Sequence, residues 1–229
     1  MKERAPIARM RPPPSSVLFD LDGTLIDSSP LHDRAFRAAF AAGAPELATD
    51  FDYHQHKGKP TLEVFAQLGV ADAGKRADLT AFKQAHYRTA VAGGELGLFD
   101  GARELLMALS AAGIGLYLVT GSSAASVDAA LRAGGVDQLL SARITAEDVT
   151  RGKPAPDGYR ACLARHGLSA EDCVAVEDAV NGVTSARDAG LRVWGVHDPS
   201  IRALCDDWAA SLPLLGARFS ALEPASDAR

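Results

Sequence analysis

The stretch VLFDLDGTLIDS, residues 17–28, decides how this chain is interpreted. It opens with the apolar run of a buried strand and then places Asp20, Asp22 and Asp27 close together around a Gly-Thr turn. Two carboxylates at the end of an apolar strand repel each other, and a bound cation or a shared proton has to offset that cost. The stretch therefore predicts a strand that ends in a functional site, with Asp27 further along as a cap or hinge residue.

Other short apolar runs read as further strands of the same sheet. Strands are predicted at 16–22, 113–120, 172–178 and 191–196, with a weaker one at 142–145. The runs are continuous rather than alternating, which is typical of a parallel sheet covered on both faces. Amphipathic helical patterns separate them, at 101–113, 123–135, 156–168 and 181–190. The β-α-β-α alternation predicts a doubly wound, Rossmann-like α/β domain.

One segment breaks this alternation. Between residues 30 and 97 the pattern predicts helices, at 30–42, 60–69 and 75–92, and almost no strand. We therefore expect an α/β core formed by 16–29 and 98–220, with a small all-helical domain, 30–97, inserted after the first strand. The basic, proline-rich residues 1–15 and the residues 221–229 are expected to be disordered tails.

The composition limits the classes of function. The 229 residues are 47% hydrophobic and 23% charged, as in an ordinary globular protein, and the net charge of −5 gives no overall basic field for nucleic acid or anionic membranes. No apolar run reaches the length of a membrane span, and the N-terminal segment lacks the apolar run of a signal peptide. The three cysteines have no metal-ligand spacing, so we expect reduced thiols and a cytoplasmic protein.

The carboxyl ends of the predicted strands carry chemically useful groups. In an open parallel sheet, ligands bind outside these ends. Carboxylates suit Mg²⁺, whereas a lysine, a hydroxyl and the N–H groups of a Gly-Ser turn suit phosphate oxygens. The candidates at this edge are Asp20, Asp22, Thr120, Gly121, Ser122, Lys153, Glu177 and Asp178.

Four segments in order resemble a known family. DLDGTL (20–25), VTGSS (119–123), GKPAPDGY (152–159) and VEDAVNGVTSARDAG (176–190) resemble the four motifs of the haloacid dehalogenase superfamily. The predicted helical insertion lies where the phosphoglycolate-phosphatase and β-phosphoglucomutase branch carries its helical cap. The resemblance covers nearly the whole chain except the two tails.

The resemblance implies a role for each matching residue. Asp20 matches the nucleophile that takes the phosphoryl group, and Asp22 matches the general acid/base. Phosphate oxygens would be held by Thr120, Lys153 and the Gly121–Ser122 turn. A magnesium ion would be bound by the Asp20 carboxylate, the backbone carbonyl of Asp22 and Asp178, with Glu177 as a further or alternative partner.

The same resemblance points to residues of the inserted helical segment. Lys57 matches a position where some relatives that act on sugar phosphates have a substrate-contacting lysine, and His32 matches a histidine near the hinge. A helix-surface or helix-capping role is the alternative for His32. Thr61 stands where β-phosphoglucomutase has an arginine, and this difference weakens a mutase interpretation.

The sequence leaves several alternatives open. Asp20 and Asp22 could be turn residues, Thr120 a strand residue, Lys153 a solvated loop residue, and the Glu177–Asp178 pair an exposed charge pair. The favoured function is a Mg²⁺-dependent phosphatase acting on a small phosphorylated metabolite, as a monomer or weak dimer with no nucleic-acid or membrane partner. A sugar phosphomutase, a phosphonatase using a lysine such as Lys57, and an inactive binding module are the other hypotheses.

Overall fold

One six-stranded sheet organises the computed structural model, which describes residues 13–57 and 59–220. The strands are β1 (Ser16–Phe19), β2 (Gly115–Val119), β3 (Ala142–Ile144), β4 (Cys173–Glu177), β5 (Arg192–Val196) and β6 (Asp207–Ala209). Their order is β3-β2-β1-β4-β5-β6, and every neighbouring pair is parallel. The order reverses direction at β1, so the ends of β1 and its neighbours form the edge where ligands bind in such folds.

Eight α-helices accompany the sheet. They are α1 (Ser29–Gly43), α2 (Thr61–Gln67), α3 (Ala73–Ala92), α4 (Ala102–Ala111), α5 (Ala124–Gly134), α6 (Asp157–His166), α7 (Val180–Asp188) and α8 (Leu212–Ser220). Short 3₁₀ turns lie at Pro45–Ala48, Tyr53–His56, Asp137–Leu139, Ala146–Asp148, Ala170–Asp172 and Pro199–Leu204. The predicted α/β class is confirmed.

Both faces of the sheet are covered. Val17 and Phe19 point into a core lined by α4, α5 and α8, while Leu18 between them points into a second core lined by α6 and α7. All three side chains are fully buried. Burial on both faces explains why the strand is apolar at every position, and it fixes the direction in which β1 ends.

The helices α1, α2 and α3 form a separate layer, which we call the helical region (residues 29–92). Its own core consists of apolar side chains, including Phe36, Phe40, Phe51 and Phe65. Their rings lie 4.8–6.2 Å apart between centroids, mostly tilted or edge-on, as aromatic clusters prefer. The described residues of this region contain no strand, as the sequence predicts.

Some predicted bounds need correction. The strand predicted at 16–22 ends at Phe19, because the chain turns at Leu21, whose carbonyl accepts from the N–H groups of Thr24, Leu25 and Ile26. Ser15, predicted to lie in a tail, is hydrogen-bonded through its N–H to Asp172 O at 2.8 Å. The sequence interpretation missed β6, which has three residues, and α8. Residues 1–12 and 221–229 of the predicted tails lie outside the described residues.

Each helix within residues 13–57 and 59–220 is too short or too polar to cross a lipid bilayer.

Candidate active site

A cavity of about 340 Å³ lies between the carboxyl edge of the sheet and the helical region. The sheet side is lined by residues that follow β1, β2 and β4 and by the loop before α6; the other side comes from α1, α3 and the loop before α2. All the residues predicted from the strand ends except Ser122 line this cavity, and Ser122 contacts Asp22 at its edge. His32 and Lys57 line it from the helical region.

Lys153 joins two carboxylates. Its ammonium group donates to Asp20 Oδ1 at 2.6 Å, to Glu177 Oε1 at 2.7 Å and to the carbonyl of Val119 at 2.8 Å. Burial alone would lower the pKa of Lys153, but Asp20 and Glu177 outweigh it and raise that pKa above its usual range. Tyr159 donates to Glu177 Oε1 at 2.5 Å. Lys153 therefore stays charged inside a buried network, which excludes the alternative of a solvated loop lysine.

The pKa of Asp20 is raised as well, which for a carboxyl group favours the neutral form. Burial raises its pKa well above the ordinary value, and the negative charges of Glu177 and Asp178 add to this, while Lys153 opposes it. Carboxylate oxygens of Asp20, Glu177 and Asp178 lie within 4.8 Å of one another. Among the described residues, the three buried carboxylates face only two ammonium groups, those of Lys153 and Lys57, so the site favours an added cation.

Asp178 is held by groups from the turn after β1 and from the helical region. Its Oδ1 accepts from the Thr24 hydroxyl at 3.2 Å, and its Oδ2 forms an ion pair with Lys57. Among the described residues, Oδ2 accepts no well-directed hydrogen bond, so the Lys57 charge is its main partner. Gly23 has φ +88°, and a Cβ there would lie 2.2 Å from Oδ2, so only glycine leaves room for this carboxylate.

A second glycine allows the approach of Glu177. A Cβ at Gly182, in the first turn of α7, would lie 1.9 Å from Glu177 Oε2. The motif at the end of β4 therefore has a steric basis, because it contains two buried carboxylates and the glycine that makes space for one of them.

Asp22 lies in different surroundings. Its carboxylate accepts from the Ser122 hydroxyl at 2.5 Å and from the Tyr87 hydroxyl at 3.1 Å, and His32 Nε2 is 3.9 Å away. Burial raises the pKa of Asp22, but His32, Ser122 and Ser28 outweigh it and bring that pKa below its usual range. The Asp22 side chain is outside the carboxylate cluster of Asp20, Glu177 and Asp178. Asp22 could therefore bind a metal ion only through its backbone carbonyl, as the resemblance implies.

His32 is oriented by a buried lysine. Lys83 Nζ lies 2.8 Å from His32 Nδ1, and an ammonium group can only donate, so Nδ1 is the acceptor and the ring proton is on Nε2, facing Asp22. Burial, with Lys83 nearby, lowers the pKa of His32 despite Asp22. Burial likewise lowers the pKa of Lys83 to about 8, although Asp22 opposes the shift. The ring also stacks on Tyr87 at 4.1 Å. The surface-histidine alternative for His32 is therefore wrong.

The turn after β2 is arranged around Thr120. Its hydroxyl oxygen accepts from the N–H of Ser122 at 3.1 Å, and Ser123 caps α5 through the N–H of Ser126. Gly121 lines the cavity, and a Cβ there would meet nothing within 4 Å. Ser122, predicted as a phosphate-binding residue, instead directs its hydroxyl to Asp22.

Several residues of the site were missed by the sequence interpretation. Lys83 and Tyr87 come from α3, and Tyr53 lines the cavity from the turn before α2. Tyr159 stands within the predicted motif at 152–159 but had no assigned role. Of these residues, Lys83 could have been found from the sequence. It lies on the buried face of α3 between Leu79 and Tyr87, and a buried lysine requires a specific partner.

Comparisons with known proteins show which family the chain resembles. A family model described as haloacid dehalogenase-like hydrolase matches residues 15–190. Protein CbbY of Rhodobacter capsulatus is 35% identical over 210 residues, covering 86% of this chain and 90% of that protein. Hexitol phosphatase A of Escherichia coli (strain K12) is 37% identical over 185 residues, covering 80% of this chain and 83% of that protein.

A solved structure supports the same relationship. The crystal structure of a CbbY mutant from Rhodobacter sphaeroides in complex with xylulose-(1,5)bisphosphate superimposes with a TM-score of 0.73 and 29% identity. The match covers 89% of this chain and 96% of that chain. The likeness therefore extends over the sheet and the helical region together.

Proposed function

Because the chain belongs to the haloacid dehalogenase-like hydrolases, in the branch that includes phosphoglycolate phosphatase and β-phosphoglucomutase, we propose a specific reaction for it. It is a Mg²⁺-dependent phosphatase that hydrolyses a small phosphomonoester through an aspartyl-phosphate on Asp20. The observation that carries the proposal is the contrast between two carboxylates. Asp20 lies in a charged cluster with Lys153, whereas Asp22, two residues later, faces hydroxyl groups and His32.

The carboxylate cluster fits a magnesium ion. Asp20, Glu177 and Asp178 supply hard oxygen ligands within 4.8 Å of one another, and Asp178 Oδ2 has no well-directed donor among the described residues. We propose that Asp20 and Asp178 hold the ion, with the Asp22 backbone carbonyl, and that Glu177 supports it through Lys153. When bound, Mg²⁺ would offset the charge of the carboxylates and of the phosphate oxygens.

The chemical steps belong to the two aspartates. An Asp20 oxygen attacks phosphorus, the bond from phosphorus to the leaving alcohol breaks, and Asp22 gives its proton to the alcohol oxygen. Asp22 then takes a proton from a water molecule, which attacks phosphorus and releases phosphate from Asp20. Thr120, Lys153 and the N–H of Gly121 hold the phosphate oxygens.

The protonation state of Asp22 has to change between the two steps. The pKa of Asp22 lies below the usual range in the arrangement described above, so its carboxylate is ionised, which is the form that the second step needs. A phosphate dianion entering beside it would raise that pKa by repulsion, and this would let Asp22 hold the proton that the alcohol needs.

The cavity supports a small polar substrate. Its wall on the helical side carries Lys57, Lys59 and Thr61 together with Phe36 and Tyr53, which offers both charged and apolar contacts. We propose a sugar phosphate or a phosphoglycolate-like acid, with the residues 30–97 acting as a cap that excludes water. The names of the relatives, hexitol phosphatase among them, support this class.

Location and assembly are also proposed. A cytoplasmic protein, monomeric or weakly dimeric and without nucleic-acid or membrane partners, is supported by the net charge of −5 and by the free cysteines Cys162, Cys173 and Cys205.

A phosphate-release screen tests the function. Sugar phosphates, phosphoglycolate and nucleotides are offered with and without Mg²⁺ to the wild type, to Asp20→Asn and to Asp27→Asn. Asp27 is an exposed aspartate in the same stretch and serves as the matched control. We expect Mg²⁺-dependent phosphate release from the wild type and the control and none from Asp20→Asn. Release by Asp20→Asn at the wild-type rate would contradict the mechanism.

The same screen separates hydrolysis from phosphoryl transfer within a sugar. β-Glucose 1-phosphate is added, and glucose 6-phosphate and free phosphate are both measured. Formation of glucose 6-phosphate with little free phosphate would establish the mutase alternative. We expect hydrolysis, because Thr61 lines the cavity where the resemblance to β-phosphoglucomutase would require an arginine.

A further inference from the structure

Two chain segments connect the helical region to the sheet, and they are hydrogen-bonded to each other. The N–H of Asp27 donates to Gly97 O at 3.1 Å, and the N–H of Phe99 donates to Leu25 O at 2.9 Å. Ile26 and Leu98 form an antiparallel bridge between these bonds. We call residues 24–28 and 97–99 the linker ribbon. Any movement of the helical region relative to the sheet therefore has to change the conformation or the position of the linker ribbon.

His197 contacts both strands of the linker ribbon. Its ring stacks on Phe99, with centroids 4.0 Å apart, and its Nε2 lies 3.2 Å from the carbonyl oxygen of Thr24. A carbonyl only accepts, so His197 Nε2 carries a proton and donates. The His197 N–H donates to Ala209 O at 3.2 Å, which anchors the residue to β6. The side chain of His197, which directly follows β5, therefore contacts both segments that connect the helical region to the sheet.

The backbone of His197 is unusual. Its φ of 64° makes it the one non-glycine residue with a positive φ among residues 13–57 and 59–220. The other positive-φ positions there are all glycines, such as Gly23 and Gly190. A side chain in this conformation costs free energy, and such strain persists where the surroundings impose it, often near functional sites. A glycine would relieve this strain, so we expect the imidazole of His197 to make an interaction that compensates for it.

The contacts of Thr24 indicate what the imidazole offers. The Thr24 hydroxyl donates to Asp178 Oδ1 at 3.2 Å, and the residue lies two positions after Asp22. The hydrogen bond to the Thr24 carbonyl therefore holds the turn that orients Asp22. It also holds in place the Thr24 hydroxyl, which donates to Asp178. Small displacements of catalytic groups are costly, since an error of about 1 Å can reduce turnover about 100-fold.

We propose that His197 is a positioning residue for the reaction, and this rests on the proposed phosphatase function. It holds the linker ribbon against the end of β5, so that the Asp22 carboxylate keeps its orientation while the helical region moves over the cavity. His197 touches none of the reacting groups itself. The motifs of the sequence gave it no role, because it lies after the last of them.

The test separates positioning from stability. His197→Gly removes the ring and also the strain, so we expect a melting temperature equal to or above that of the wild type while kcat falls about 10- to 100-fold. His197→Gln keeps a donor near the Nε2 position and should recover part of kcat. His166→Gln is the matched control: this exposed histidine also contacts an aromatic ring, that of Tyr117, and its kcat should stay within about twofold of the wild type.

A second readout does not depend on activity. Amide hydrogen exchange of Asp27 and Phe99, whose N–H groups cross the linker ribbon, should be faster in His197→Gly and unchanged in His166→Gln. Unchanged exchange together with a kcat within twofold of the wild type would overturn the proposal, as would a loss of kcat that follows a loss of thermal stability. If the wild type released no phosphate from any substrate, the phosphatase function would fail, and the exchange experiment would still test the ribbon.

Discussion

The ion pair between Lys57 and Asp178 would compete with the proposed magnesium ion for one carboxylate. Lys57 approaches Asp178 Oδ2 with both side chains largely shielded from solvent, 19% and 2% exposed. Around it, the three carboxylates of Asp20, Glu177 and Asp178 face two ammonium groups, those of Lys57 and Lys153. The change Lys57→Met keeps most of the side-chain volume and removes one positive charge. We therefore expect Lys57→Met to bind Mg²⁺ more tightly than the wild type.

The size of the effect follows from the environment of the pair. Unit charges 4 Å apart attract by about 4 kcal/mol at an effective dielectric constant of 20, and partial exposure, side-chain entropy and desolvation reduce the net value. We take about 1–2 kcal/mol as the part that a metal ion has to overcome, which corresponds to a dissociation constant lower by about 5- to 30-fold in the variant. Substrate binding should weaken at the same time, so KM should rise.

Isothermal titration with Mg²⁺ in the absence of substrate measures this directly. Lys59→Met is the matched control, because Lys59 lines the same cavity but donates to Gln67 Oε1 at 2.9 Å instead of pairing with a carboxylate of the cluster. Its Mg²⁺ affinity should stay within about twofold of the wild type. An unchanged or weaker Mg²⁺ affinity in Lys57→Met would refute the reasoning, since it would show that Lys57 and the ion do not share Asp178.

Three further changes test other parts of the site. Asp22→Asn should lower turnover about 100- to 10,000-fold, and phosphate release near the wild-type rate would rule out the acid/base role. Gly182→Ala places a Cβ 1.9 Å from Glu177 Oε2, so we expect titration to show weaker Mg²⁺ binding; wild-type affinity would show that Glu177 can move freely. Burial lowers the pKa of Lys83 from 10.5 to about 8, so charging it opposes folding below pH 8 and this penalty disappears as pH rises to 10.5. Urea unfolding of the wild type should therefore gain up to about 3 kcal/mol over that range relative to Lys83→Met, and parallel pH profiles would contradict the assignment.

The sheet-edge part of the site could be predicted because topology does most of the placement. Parallel strands end at a common edge, so a carboxylate after β1, a hydroxyl after β2 and carboxylates after β4 have to lie close together. The loop between β3 and α6 starts from the same edge, and it brings Lys153 to within 2.6 Å of Asp20, 133 residues away in the sequence. The short β6 escaped prediction, because three residues carry too little periodicity to separate a strand from a loop.

The helical wall of the cavity could not be predicted in the same way. Its residues come from α1, α3 and the loop before α2, and the angles between these helices depend on the packing of Phe36, Phe40 and Phe65. Nothing in the local pattern fixes that packing, so the approach of Lys83 to His32 remained hidden although both helices were predicted. His197 was missed for another reason: its φ depends on the tertiary contacts around it, and the sequence there shows no glycine.

The two halves of the site meet at Asp22, and this connects the proposed chemistry to the position of the helical region. Ser122 contacts Asp22 from the sheet side, whereas His32 and Tyr87 contact it from α1 and α3. Burial raises the pKa of Asp22, and His32, together with Ser122 and Ser28, outweighs it and lowers that pKa below its usual range. In the proposed cycle Asp22 has to hold a proton first and accept one later. His32, which the helical region contributes, therefore favours the ionised form of Asp22, and that is the form needed when water attacks the proposed aspartyl-phosphate.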